Sequence, residues 1–471
     1  MQFRGGSVAV TNGELLAIRL GFGLSPVIPA PADGAALLED AQSVAEREPA
    51  YTTAEARRAH LAFSERQKAR REAQKASPDN MVPDEANEAV KEYRNTLTTF
   101  RDRYLMIRIA QSAAAPTGFG DRLVQFWADH FTIRAKTGAG LWPMAVAYIE
   151  EVIRPNIHGS FATLLKAAET HPAMVTFLDQ QGSVGPRSPA AIRSRKPVGL
   201  NENLAREILE LHTLGVDASY TQDDVHNFAK LLTGLGYNPR HERHFFPARA
   251  EPGAETVLGK AYGKGRPRAA DIDDVLDDLA RRPETARHIA RKLAIHFVSD
   301  DPDPDLVEAL VAAWGKDGGD LPRLYEVLIS HPALARQFRE KVRLPFDFLA
   351  SSVRALGIPP AKIAKLEGAP MRRSFRLPLQ RMGQPWFGAS GPDGWSEAAE
   401  AWIRPQLLAE RISWAMNVPH KLMDGLPDPR GFVDVALGGS ASEALNWAVP
   451  KAESIREGVG LVLASAEFNR R

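Results

Sequence analysis

Asn203, Arg206, Glu207 and Glu210 recur at the three- and four-residue spacing that lines side chains up along one stripe of a helix. Two glutamates on such a stripe can bind a hard cation or share a proton. Arg206 can grip one of them through both guanidinium nitrogens and leave the other as an acid or base, so these four are the candidate catalytic residues. The same spacing also describes a solvated or inter-helix salt-bridge face, and the residues alone leave both readings open.

The surrounding run, NENLAREILELHTLG at residues 201–215, supplies a frame for the stripe. Leu200, Leu204, Ile208 and Leu211 fall on a neighbouring apolar stripe. Asn201 is a candidate N-cap and Gly215 the C-terminal stop, with His212 in the last turn, where a positive imidazole suits the helix dipole. Thr221 and Asp224 have the spacing of a capping box opening a second helix, QDDVHNFAKLLTG. A helix that opens with acidic side chains is a poor reader of nucleic acid. Ferritin-like di-iron sites need Glu-x-x-His motifs on facing helices, and here Glu207 is followed by Glu210 instead.

The histidines belong to an internal repeat. GSFATLLKAAETHPAM, from Gly159, aligns without gaps to GDLPRLYEVLISHPAL, from Gly319. In each copy Ser160 or Asp320 can cap a helix, and Pro172 or Pro332 pushes His171 or His331 out of helical geometry and ends it. WADHF, ending at Phe131, and LAIHF, ending at Phe297, echo one another upstream of the two copies, and LVLASAEF, ending at Phe468, is a weaker third echo. The pattern predicts duplicated helical units packed around one shared core. A histidine that recurs at one place in two units is most simply a packing and capping residue. The alternative is that His130 and His296 face each other across a shared cleft, where imidazoles and carboxylates could hold a divalent metal; the candidate ligand set is His130, Glu207 and Glu210.

Trp386, Phe387 and Trp395 lie on a Gly/Pro-rich loop, LQRMGQPWFGASGPDGWSEAAEAWI, at residues 379–403. They can stack on sugar rings or peptide side chains, and with Asn201 they are the candidate substrate contacts. The other reading is a loop pinned to the body by buried aromatics. Residues 54–76 and 84–112 read as two long, charged helices in a hairpin around the turn SPDNMVP; the first is polar around most of its circumference, which suits projection into solvent or the bracing of a partner.

Composition sets the outer limits. With 471 residues, 44% hydrophobic and 25% charged, the chain can bury an extensive core. Its 59 basic against 58 acidic residues create no global field toward nucleic acid. Without cysteine, any metal site must be built from His, Asp and Glu. No window is apolar enough for a transmembrane segment, and the first 26 residues lack the apolar stretch of a secretory leader, which points to the cytoplasm for the chain as written and to the periplasm or outside if a leader has been removed.

The run at residues 201–215, followed by YTQDDV and TGL, resembles the hallmark N-E-N-x-A-R-E-L-L-E-L-(H/F)-T-L-G, Y-T-Q-x-D-V and T-G-W/L of the bacterial "domain of unknown function 1800" family. The loop GQPWFGASGPDGW and the terminal segments LAIRLGFGLSP and LASAEFNRR extend the resemblance over nearly the whole chain. One departure lies at residues 245–259, where Ala250, Glu251 and Glu255 stand in place of the family's His, Asp and Lys. The resemblance implies an all-α protein, often exported and often encoded beside a sulfatase-like partner, and supplies no catalytic residues.

The expected architecture is therefore mainly α: a multi-helix bundle of duplicated helical units with long loops and a projecting helical hairpin. Its expected parts are N-terminal helices with the hairpin insert at 52–112 (residues 1–115), a first unit carrying the NEN helix pair (116–240), an irregular loop (241–270), a second unit (271–356), and the aromatic loop with C-terminal helices (357–471). The functional expectation is an enzyme or enzyme component acting on a polysaccharide or other envelope polymer in a cleft between the units. The alternative is a non-catalytic helical scaffold that assembles with a partner enzyme.

Overall fold

The computed structural model describes residues 10–134, 141–241 and 244–471. Helices make almost all of its regular structure; among the described residues the only paired strands are Glu255–Val257 and Lys260–Tyr262, an antiparallel hairpin. The protein is mainly α. The first nine residues, part of the segment judged for a leader, lie outside the described residues. No described helix is long and apolar enough to cross a membrane.

The hairpin forms from helices Thr53–Ala76 and Asp84–Ala114. Thr52 and Glu55 make a reciprocal capping box at its start. Phe63, Val90 and Leu97 form a small core of their own, and Phe63 and Ala56 are the only buried residues of the first helix. The second helix changes character along its length. Leu105, Met106 and Ile109 are fully buried and join a large hydrophobic cluster with residues from Phe346 to Phe468. A second large cluster runs from Leu16 to Leu334 and takes in both copies of the repeat.

The two copies touch at their helix starts. Ser160 and Asp320, aligned in sequence, pair as an isolated antiparallel bridge: Phe161 N–H donates to Gly319 O at 2.8 Å and Leu321 N–H to Gly159 O at 3.0 Å. Each then caps its own helix, Phe161–Thr170 or Leu321–Ser330, by accepting from the amide three residues on. His171 and His331 act alike at the far ends, each Nδ1 accepting from the amide two residues later at 3.1 and 3.2 Å. In the third echo, Ser465 caps the start of the short helix Ala466–Asn469.

Candidate functional site

The segment 201–215 departs from the expected continuous helix. It is α-helical only over Asn203–Glu207 and continues as a π-helix over Ile208–Thr213, in which Leu214 N–H reaches back five residues to Leu209 O at 3.0 Å. The wider turn buries Leu209 and sends His212 into the core, where its Nδ1 lies 2.7 Å from Glu169 with both side chains sealed from solvent. His212 thus lies in the last turn, as expected, but in that of a π-helix and with its ring against Glu169. Near this helix end the carbonyls run out of helical partners. His288 Nε2 donates to Leu211 O at 2.9 Å and His130 Nε2 to His212 O at 3.2 Å.

The polar stripe is largely satisfied by itself. Arg206 contacts Glu210 at 3.2 Å and Glu202 at 3.6 Å and donates to Gln222 Oε1 at 3.0 Å. Asn203 is exposed. The Asn201 side chain accepts from Asn203 N–H at 2.9 Å and donates to Leu178 O at 2.9 Å, a local turn in place of a substrate contact. Glu207 is the exception: it is half-buried, and its pKa is raised by burial and by the charges of Glu210 and Asp393, against His212 and Arg206. Of the candidate ligand set His130, Glu207 and Glu210, Glu210 is engaged by Arg206 and His130 Nε2 by a carbonyl. Among the described residues no three His, Asp or Glu side chains converge as metal ligands.

A different cluster forms where the echoed segments meet. Helices Phe119–His130 and Pro283–Phe297 end side by side, and an open cleft of about 1510 Å³, mouth included, lies between them. Phe126, Asp129 and His130 line it from the first helix, Lys292 and Ile295 from the second, and Asp393, Trp395, Glu397 and Trp402 from the aromatic loop. His130 and His296 do not face each other across it; both rings pack on Phe126, with centroids 6.3 and 5.2 Å away.

Asp129 is held against the loop. Trp395 N–H donates to both of its carboxyl oxygens, at 3.0 and 3.2 Å. Gly394 makes this approach possible: it has φ +79°, and a Cβ there would lie 2.7 Å from Asp129 O. Burial, then the nearby Glu397 charge, push the Asp129 carboxyl up to about 7. Glu397 goes the other way. Burial alone would raise it, but His296 and Lys341 hold it well below the usual carboxylate range. His296 Nδ1 lies 2.6 Å from Glu397, and its Nε2 lies 3.1 Å from Arg122 Nη2. Arginine can only donate, so the imidazole proton sits on Nδ1 and is given to Glu397. Burial lowers the pKa of Lys292, against the pull of Asp129, Glu397 and Asp393. The buried His130 stays neutral, and its Nδ1 has no hydrogen-bond partner.

A family model described as "Protein of unknown function (DUF1800)" matches residues 15–470. The chain belongs to the DUF1800 family. No curated protein and no solved structure matches it. Where this DUF1800 chain carries Glu251 and Glu255, the structure gives each a basic partner: Arg187 reaches Glu251 at 2.5 Å and Glu255 at 3.4 Å, and Lys230 lies 3.5 Å from Glu255. The aromatic trio divides. Trp395 packs edge-on against Trp402 at 6.0 Å in the cleft. Trp386 stacks on Phe346 at 5.6 Å, and Phe387, at φ +55°, on Tyr104 at 6.3 Å; these two pin the loop to the body and wall an adjoining apolar cavity. Asp129 and Glu397 were not singled out from sequence. One signal existed for Asp129: it is the polar member of WADHF where LAIHF has Ile295.

Proposed function

We propose that the chain is an enzyme acting on a polysaccharide-type polymer in the cleft between the ends of helices Phe119–His130 and Pro283–Phe297. The observation that carries this reading is the divergence of two carboxyl groups in one cleft: Asp129, raised to about 7, and Glu397, held ionised. Such a pair divides the labour of glycosidic chemistry, a proton donor near neutral pH beside a fixed negative charge that stabilises a developing cation. Lys292 and the neutral His130 would orient hydroxyl groups, and Trp395 with Trp402 offers apolar faces for a sugar ring. Glu207 remains a secondary candidate beside Asp393; Glu210, Arg206 and Asn203 would support the cleft from outside it.

The test is release of reducing ends from a panel of envelope and extracellular polysaccharides by wild type and Asp129→Asn. The expected result is cleavage of at least one polymer, slowed about a hundredfold or more by the substitution. Equal rates, or no cleavage across the panel, sink the reading.

The second reading, a scaffold that assembles with a sulfatase-like enzyme, draws on the hairpin, whose first helix buries only Ala56 and Phe63. Co-purification that depends on residues 65–88 would favour it.

A further inference from the structure

We infer that the apolar cavity beside the cleft binds a small molecule with an apolar body and a carboxylate head. The cavity holds about 120 Å³ and opens to solvent at its mouth, the order of volume at which an apolar cavity takes up a small organic guest. Val124, Ile133, Ile149, Leu344, Phe346 and Phe387 give it a mostly hydrocarbon wall.

Three side chains on that wall each carry a buried polar atom without a hydrogen-bond partner: Arg108 Nη1, Gln125 Nε2 and Trp386 Nε1. All three are donors. Arg108 itself is only 2% exposed. The remaining polar groups on the wall are largely accounted for: Tyr148 O–H donates to Phe131 O, Thr132 O–H to Asp129 O, and both His296 nitrogens are engaged. A buried donor left unmade costs about 1–3 kcal/mol. A ligand that brought acceptor oxygens to three of them would recover that cost while its body left water against the aliphatic and aromatic wall.

Charge selects a carboxylate over a neutral acceptor. Arg108 lies 3.4 Å from Asp121, which Arg47 also contacts at 3.5 Å, while Glu150 is paired with Arg154 at 3.1 Å. Three guanidinium groups thus face two carboxylates, and the next carboxyl, Asp40, is pushed toward its neutral form by burial. On the cavity wall itself the carboxyl is Asp129, which keeps its proton up to about pH 7. A bound anion would complete the charge balance. The inference goes beyond the proposed reaction, because the three side chains that carry these donors line the cavity and not the cleft, and it stands whether or not the cleft is catalytic.

The experiment is calorimetric titration of the full chain at pH 6 with decanoate, 3-phenylpropionate, decanol and acetate. At least one of the two apolar carboxylates should bind, decanol about tenfold or more weakly, and acetate not measurably. Trp386→Phe keeps the ring and removes the Nε1 donor, and Gln125→Leu removes the amide; each should weaken the binding carboxylate about fivefold to twentyfold. Either variant is informative if the other fails to fold, and thermal melting reports which has folded. The inference is overturned if neither carboxylate binds, if decanol matches them, or if the folded variants bind as the wild type does.

Discussion

Asp129 illustrates how much a single proton can depend on its surroundings. Its carboxyl is raised from 3.8 to about 7, so the folded protein holds a proton there that the unfolded chain releases near pH 4. A raised folded-state pKa contributes stability that is complete below the unfolded value and is lost as pH rises through the folded one. Asp129→Asn, which cannot ionise, should therefore gain on the wild type steadily from pH 4 to 7 and hold a constant advantage above it. With solvent screening at this partly exposed group, that advantage is about 1–3 kcal/mol. Urea midpoints measured at pH 4, 6 and 8 decide it; a difference that does not change with pH would show that Asp129 titrates normally.

Glycines at corresponding places in two helical elements separate what a motif records from what packing demands. Gly159 and Gly319 both precede a capping residue in the repeat. Gly319 has φ +86°, and a Cβ there would come within 2.7 Å of the Trp314 ring and 2.9 Å of Phe161 Cβ. Around Gly159 a Cβ would meet nothing within 4 Å. Gly319→Ala should cost about 2 kcal/mol or more through strain and overpacking, whereas Gly159→Ala should be neutral or stabilise by up to about 1 kcal/mol. Chemical denaturation of the two variants checks this, and equal effects would refute the contrast. The helix that begins at Asn203 shows why its π-turn escaped the sequence. A period of 3.6 fits residues 203–213 well, and what widens the helix is packing: His212 meets Glu169, and His130 and His288 accept the task of filling its last carbonyls.

At the scale of the whole molecule, one carboxylate links the two large hydrophobic clusters. Asp347, on helix Pro345–Ala355, is 2.6 Å from Arg471 Nη1 and 3.7 Å from Arg122, and the charges of Arg343 and Arg411 also bear on it. Arg122 belongs to helix Phe119–His130, and Arg471 also donates to His296 O at 3.0 Å. All of these side chains are almost wholly buried. Asp347→Asn would leave several buried guanidinium groups facing no full charge, a loss expected to be about 3–5 kcal/mol. A urea midpoint close to that of the wild type would show that the hub does not hold the clusters together.

The amino-acid sequence by itself determined the mainly α class, the limits of the hairpin, the capping of Ser160, Asp320 and Thr221, and the repeat whose aligned caps turned out to pair. These are local matters, decided by amides within three or four residues and by the helical period. Only the tertiary structure decided which polar residues share a cleft. The stripe from Asn203 to Glu210 had the better sequence pattern, yet Arg206 occupies its Glu210, while Asp129, Lys292 and Glu397 come from three distant segments. A carboxyl's pKa is set by desolvation and by charges a few ångströms away, and neither is defined until the chain has folded.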